Sequence, residues 1–300
     1  VIFRTDHSDT EVLLHGYRKW GRSVVDRLNG MWAFALLDRS QGVLWLSRDR
    51  FGKKPLYYAQ RHGEFFFSSE LASLCRHPAI DHEIDTSSLV SYFAHGYVPA
   101  PGSMVSGVQK LPAGHNLIYN LTDHRIGLEQ YWRFEFAPQM NWVNQPQALS
   151  EALIEKLYAA VNTRMQADVP VGVFLSGGID SSSVAALAMT ASKSQNVKTY
   201  SIGFEDESFD ETAYSRDMAT VLGTDHINEW LSADGCLELL DDIFPHLDEP
   251  MADSSLVPSF LMCRLARNQA TVALSGDGAD ELFAGYDPFK ALSPARLYSR

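Results

Sequence analysis

Apolar and polar positions follow two different patterns along the chain. Residues 11–20, EVLLHGYRKW, have helical spacing, with Ser8 at the N-cap position and Glu11 three residues later, a capping-box arrangement. Four short runs follow: MWAFALLD (31–38), GVLWLSRD (42–49), PLYYAQ (55–60) and EFFFSSE (64–70). They are rich in aromatic and β-favouring residues, and RSQG, FGK and RHG break them apart, so hairpins and antiparallel sheets are expected. A helix is expected over 86–96, then further strands and turns through GSMVSGVQKLPAGHNLIYN (102–120).

The pattern changes after APQMNWVNQPQA (137–148), a polar stretch with two prolines that reads as a linker. Leu149, Leu153, Leu157, Val161 and Met165 recur every fourth residue, predicting an amphipathic helix over 148–167. Short apolar strands then alternate with helices: 171–175, 198–204, 226–231 and 271–274. Such alternation implies a parallel sheet covered on both faces. The expected division is therefore residues 1–136, a linker at 137–147, and residues 148–300.

Composition narrows the function. A chain of 300 residues with 45% apolar residues can build two cored domains. A net charge of -12 argues against a nucleic-acid surface, and no apolar run reaches the roughly 18 residues of a membrane span. Cys75, Cys236 and Cys263 form no CxxC and no metal spacing, which suggests a reduced, cytoplasmic protein without structural zinc. All three fall in helical contexts and are expected to be buried and inert. The chain opens at Val1 rather than Met and ends at Arg300 soon after a motif-rich loop, so a fragment truncated at both ends is expected.

Two strand ends carry the chemistry. VFLSGGID places Ser176, Gly177, Gly178 and Asp180 after one strand, and VALSGDGADE places Ser275, Gly276, Asp277, Asp280 and Glu281 after another. In open parallel sheets, ligands bind beyond the carboxyl ends of the strands. Gly177 and Gly178 let backbone amides approach an anion, and Ser181 and Ser182 open the following helix, whose dipole favours phosphate. Asp180 would repel a bare phosphate, but it fits if Mg²⁺ stands between, with Asp280 as a second carboxylate. A Ser-Gly turn alone is more often structural; the pair of loops argues for a nucleotide pyrophosphate. Neither GxxxxGK[ST] nor GxGxxG is present.

SGGIDSS resembles the pyrophosphate loop of ATP-pyrophosphatase (PP-loop) enzymes. SGDGADELFAGY (275–286) and DEPMADSSLVPSFLMCRLAR (248–267) are similar to glutamine-hydrolysing asparagine synthetases. SDTEVLLHGY, LNGMWAFALLD, RDRFGKKPLYYA, FSSEL and LPAGH resemble that family's class-II glutamine amidotransferase half. The resemblance spans nearly the whole chain. It implies a partial Ntn-type αββα sandwich with antiparallel sheets, followed by a doubly wound parallel sheet like that of the adenine nucleotide alpha-hydrolases.

The resemblance also implies roles. Asp9 would bind the glutamine α-amino group. Ser176, Gly177, Gly178, Ser181, Ser182 and Ser275 would cradle ATP and its pyrophosphate, with backbone groups of Phe174, Ile202 and Gly276 at the adenosine. Asp180 and Asp280 would hold Mg²⁺, and Asp277 would assist formation of a β-aspartyl-AMP. Asp253, Ser254 and Tyr286 are candidates for the substrate pocket. The implied substrates are glutamine, aspartate and ATP, and the implied full-length state is a homodimer.

The family's nucleophile is an N-terminal Cys, whereas position 1 is Val, so the chain alone is expected to be inactive. A sibling amidotransferase acting on another carboxylate, or a PP-loop ligase with a non-hydrolytic first domain, fits the same motifs.

Overall fold

The computed structural model describes residues 3–5, 8–136, 145–192, 196–206, 208 and 210–290. The chain forms two compact units, residues 1–137 with 247–253, and residues 138–246 with 254–300. Most of the expected linker, 137–144, lies outside the described residues.

In the first unit, α1 (Asp9–Trp20) is followed by a 3-10 turn (Gly21–Arg27), β1 (Ala33–Asp38), β2 (Val43–Arg48), β3 (Tyr57–Arg61) and β4 (Glu64–Ser68). Then come α2 (Leu71–Cys75), α3 (Thr86–His95), β5 (Val108–Lys110), β6 (His115–Asn120) and β7 (Ile126–Gln130). Two antiparallel sheets result, ordered β1-β2-β6-β7 and β4-β3-β5. Strand alternation decides what each face meets. Leu46, Leu117 and Tyr119 from the first sheet pack on Tyr58, with Leu56 and Leu111, between the sheets. Leu36 and Trp45 turn the other way, onto Val24, Val25 and Tyr17. Tyr57 and Ala59 meet Leu71 and Leu74 of α2. The layering is therefore helix, sheet, sheet, helix.

One capping expectation is corrected. Ser8 stands at the N-cap of α1 but makes no side-chain cap. The Glu11 carboxylate instead accepts from the N–H groups of Arg4 and Thr5 at 2.7 and 2.8 Å and from the Thr5 hydroxyl at 2.6 Å. Those donors hold its pKa down at about 2. The spacing was right for a box, but Arg4 and Thr5, ahead of the helix, supplied the donors instead of the helix end.

Residues 247–253 pack with the first unit although three strands of the second precede them in the chain. Asp248 accepts from the N–H groups of Leu71 and Ala72 at 2.9 and 3.0 Å, satisfying donors at the start of α2. Glu249 is ion-paired with Lys110, both nearly buried, and accepts from Met104 N–H at 2.7 Å. Ala252 N–H donates to Gly96 O at 2.8 Å. Seven residues are thus strapped down by two carboxylates.

The second unit begins with α4 (Pro146–Met165), then β8 (Val171–Phe174), α5 (Ile179–Ala191), β9 (Lys198–Phe204), α6 (Thr212–Leu222) and β10 (Asp225–Leu231). It continues through α7 (Ala233–Ile243), α8 (Leu256–Arg267), β11 (Val272–Leu274), α9 (Ala279–Phe283) and α10 (Asp287–Lys290). The sheet is fully parallel, ordered β10-β9-β8-β11. Val173 and Leu175 face α4, α5 and α6, in a core with Val161, Ala185 and Ala219. Tyr200 faces α8, with Ala266 and Ala270. The apolar stripe of α4 is only partly used: Val161 is buried, whereas Leu149 and Leu153 are 48% and 36% exposed. Periodicity located the helix; within this unit only its C-terminal half meets the core.

Removing one partner of a nearly buried ion pair leaves the other charge uncompensated. Glu249→Ala is expected to destabilise the first unit by about 3–5 kcal/mol in chemical unfolding. Pairing it with Lys110→Met should restore much of that loss; a Glu249→Ala variant as stable as the parent would show that the strap carries no load.

Candidate active site

The chain lays down β8, β9 and β10 in one direction and then returns to the far side of β8 with β11. The strand order reverses between β8 and β11, which is where an open α/β sheet leaves a crevice at its carboxyl end. Register pairs Val272 with Val171 and Leu274 with Val173, so the two Ser-Gly loops leave the sheet side by side. They touch: a Cβ on Gly276 would lie 2.9 Å from Ser181 N and 3.1 Å from Asp180 Cβ.

The first loop is wound on its own hydroxyls. Ser176 N–H donates to Ser181 Oγ at 3.2 Å, the two hydroxyls lie 2.9 Å apart, and Ser181 Oγ donates to Gly178 O at 3.2 Å. Gly177 has φ +87, and a Cβ there would lie 2.5 Å from the carbonyl carbon of Tyr214 and 2.7 Å from Ser215 N. Only glycine fits, for both reasons. Gly178 is the N-cap of α5. Ser182, in the first turn, is buried, and its Oγ has no partner. A buried hydroxyl without a partner is costly, and here it sits one turn from an anion-favouring helix end.

In the second loop, Ser275 Oγ donates to Asp277 Oδ2 at 2.8 Å. Gly278 takes φ +93 and caps α9, which places Asp280 and Glu281 in the first turn. Asp280 is half-buried, and its Oδ1 fills the space a Cβ on Gly285 would occupy. Phe174 ends β8, half-buried against the Tyr200 cluster. Leu175 N–H donates to Tyr200 O at 2.8 Å, so the Tyr200 peptide faces β8, and by alternation so does that of Ile202, beyond the end of β8. Phe174, Ser176, Gly177, Gly178, Asp180, Ser181, Ser275 and Gly276 thus lie at or just beyond the ends of β8 and β11, with Ile202 on the neighbouring β9. The donors of the crevice are hydroxyls and amides suited to an anion, and its carboxylates, Asp180 and Asp280, suit a hard cation rather than the anion itself.

Residues 1–132 match the glutamine amidotransferase domain family, and residues 152–299 match asparagine synthase. A Methanocaldococcus jannaschii protein, whose asparagine synthetase (glutamine-hydrolysing) designation is provisional, is 39% identical over 93% of this chain and 54% of its own length. The chain belongs to the glutamine-hydrolysing asparagine synthetase family. Asparagine synthetase (glutamine-hydrolysing) 1 of Bacillus subtilis is 37% identical over 96% of this chain and 44% of that protein. Amidase chyE of Penicillium rubens is 29% identical over 95% and 44% respectively. The chain spans about half the length of the curated relatives it matches. A solved glutamine-dependent NAD+ synthetase from Acinetobacter baumannii, in complex with ADP, shares 12% identity and a TM-score of 0.35, covering 94% of this chain and 67% of that one; a likeness of that size supports nothing further.

Other residues expected from the asparagine synthetase resemblance are placed as follows. Asp9 is the first residue of α1, exposed, with Thr10 Oγ1 donating to it at 3.4 Å. Asp253 belongs to the first unit and Ser254 to the second. Tyr286 donates to Glu281 Oε1 at 2.8 Å, and that carboxylate pushes its phenol pKa up. Cys263 is exposed, contrary to expectation: it sits on α8 where Asp277 acts on it, and partial burial with that charge raises its thiol pKa. Sequence reasoning missed Tyr214 and Ser215, on which Gly177 rests. Their signal was the small-residue spacing Thr212, Ser215, Ala219 in α6.

Gly177→Ala should cost about 1–2 kcal/mol for the left-handed backbone alone, plus the overlap with α6. Denaturant unfolding of the second unit measures it. An unchanged midpoint would mean that the loop can rearrange freely.

Proposed function

We propose that this chain contributes to the ATP-dependent amidation of aspartate to asparagine, with ammonia from glutamine hydrolysis. The observation that carries the reading is the contact of the two Ser-Gly loops at the reversal between β8 and β11. Membership of the asparagine synthetase family supplies the substrates.

In this reading the pyrophosphate of ATP lies on the 176–182 loop. The amide of Gly177 and the partnerless hydroxyl of Ser182 would donate to its oxygens, and the Gly178 N–H and Ser176 hydroxyl, bonded within the loop in this structure, would turn to them. The α5 dipole adds to the attraction. Ile202, Phe174 and Gly276 offer backbone groups to the adenosine. Aspartate attacks the α-phosphorus through its side-chain carboxylate, the α–β phosphoanhydride bond breaks, and pyrophosphate leaves with the electron pair. The loop donors stabilise the charge that builds on it. The β-aspartyl-AMP carbonyl is then open to ammonia, and AMP leaves. Asp277, which accepts from Ser275, would be the carboxylate that assists.

Asp180 and Asp280 would hold Mg²⁺, which when bound screens the phosphate oxygens from the loop's acidic residues. Asp9 would meet the ammonium of glutamine in the first unit. Tyr286, Asp253 and Ser254 remain candidates for the aspartate pocket. Among the described residues no helix is long and apolar enough to cross a membrane, in keeping with a cytoplasmic role.

A second reading has one specific support. A relative named as an amidase aligns over 95% of the chain, and the two loops handle ATP rather than the acceptor. Amidation of a different carboxylate therefore fits the same geometry.

ATP with Mg²⁺ should raise the melting temperature of the second unit. Asp180→Asn and Ser182→Ala should each weaken ATP affinity by about tenfold, the scale of one charge-assisted hydrogen bond. Calorimetric titration reads both. A chain that binds no ATP in Mg²⁺ would sink the nucleotide reading, and pyrophosphate release screened over carboxylates separates the two acceptor readings.

A further inference from the structure

The face of the parallel sheet beneath α6 is built unlike the rest of the core. β9 presents Thr199, Ser201 and Gly203 to it, all small, and α6 answers with Thr212, Ser215 and Ala219, also small and buried. A Cβ on Gly203 would lie 2.7 Å from Thr212 Cγ2, so the first turn of α6 sits close against the strand. Where α6 lies over β9 a hydrogen-bonded ladder takes the place of hydrocarbon, while Ala219, Met218 and Leu222 pack on the apolar core beside it.

The ladder can be followed proton by proton. Ser201 Oγ donates its one hydrogen to Asn228 Oδ1 at 2.7 Å. It therefore accepts from His226 Nε2 at 3.1 Å, and from Ser215 Oγ at 3.3 Å, whose one hydrogen is shared with the Thr212 carbonyl at 3.1 Å. The imidazole proton is thus on Nε2, and Nδ1 is left to accept from Thr199 Oγ1 at 3.0 Å. Thr199 has spent its hydrogen, so it accepts from Thr224 Oγ1 at 2.9 Å. Neutral His226 is the one member that joins the β9 hydroxyls Thr199 and Ser201 through both of its nitrogens.

This layer supports the pyrophosphate loop. Ser215, the member on α6, offers its backbone N, with the Tyr214 carbonyl carbon, as the surface on which Gly177 rests. We infer that His226 is a positioning residue: through Ser201 and Ser215 it fixes the depth of α6, and so the shape of the Ser176–Ser182 loop. The inference rests on the nucleotide reading for what the loop binds, but not for the ladder itself.

Charge on the ring would reverse part of the order: Nδ1–H would donate to Thr199, whose hydrogen would turn to Thr224 Oγ1, and the cation would sit half-buried among neutral hydroxyls. Burial and the facing charge of Arg216 on α6 both hold the His226 pKa below its usual value. Around it, β9 offers only hydroxyls on the same face, and the strand-start pair Lys198 and Asp225 lies 3.7 Å apart, engaged with each other. The sign follows: the stabilisation is complete above about 6.5 and is lost as pH falls through the lower folded value.

The test compares the parent chain with His226→Ala, His226→Gln and Ser215→Ala. Amide hydrogen exchange is read over 174–183 without ligand, and pyrophosphate with Mg²⁺ is titrated calorimetrically across pH. His226→Ala should speed loop exchange and weaken pyrophosphate binding by about tenfold, the scale of coupling between contacting residues. His226→Gln, which can keep an N–H on Ser201, should lose less. Parent affinity should fall at acid pH by a step that His226→Gln lacks; the ionisation of pyrophosphate is common to both and cancels. Ser215→Ala removes the hydroxyl shared between Ser201 and the Thr212 carbonyl and should speed the same loop amides if His226→Ala does not fold.

Loop exchange and affinity that match the parent in His226→Gln and Ser215→Ala overturn the inference, as does exchange raised evenly over the whole second unit. If the parent binds no pyrophosphate, the nucleotide reading falls instead, and loop exchange alone decides the ladder.

Discussion

Three residues of parallel pairing, Val272–Leu274 of β11 on Val171–Val173 of β8, organise the candidate site. These strands are about a hundred residues apart in sequence, and each alone ends in an ordinary Ser-Gly turn. Placed side by side at the reversal of strand order, they bring two such turns into contact. Hydroxyls and amides then converge on one crevice, with carboxylates at its rim. Because Gly276 lies against Ser181 and Asp180, the second loop also limits how the first can move.

That crevice depends in turn on how closely α6 approaches the sheet. Apolar packing would separate helix and strand by the bulk of side chains between them. Small hydroxyl residues remove that bulk, at the cost of burying polar groups that must all be satisfied. The Thr199–His226–Ser201–Ser215 ladder satisfies them. Gly177 exploits the same closeness from above, where a single methyl group would overlap the α6 backbone.

The first unit solves a different problem. Its sandwich is held by alternation, with Leu46, Leu117 and Tyr119 inward and Trp45 outward. Its motif RDRFG has a structural explanation: the buried Asp49 carboxylate accepts from the N–H groups of Trp32, Phe51, Lys53 and Lys54. The strap 247–253 is bound by charge as well. Asp248 caps α2, and Glu249 pairs with Lys110 in a nearly dry setting. Such a pair is weak evidence of net stability, because desolvation offsets most of the attraction, although removing one partner is costly.

Much of this was legible in the residues. Period-two runs and turn residues marked β1 to β4, and alternating strands and helices marked the parallel sheet, since local spacing decides which face each side chain takes. SGGIDSS and SGDGADE pointed to an anion site only as a pair, because either Ser-Gly turn alone is more often structural. What local spacing could not give was adjacency. The neighbouring of β8 and β11, the seating of 247–253 in the first unit, the exposure of Cys263 and the exposed leucines of α4 all follow from contacts between distant segments. Glu11 shows the same limit at short range: its spacing fitted one set of donors, and the path of the chain supplied another. Sequence by itself determined the elements and the kinds of chemistry they carry; only the tertiary structure decided which of them meet, because hydrogen bonds and close packing act between neighbours in space.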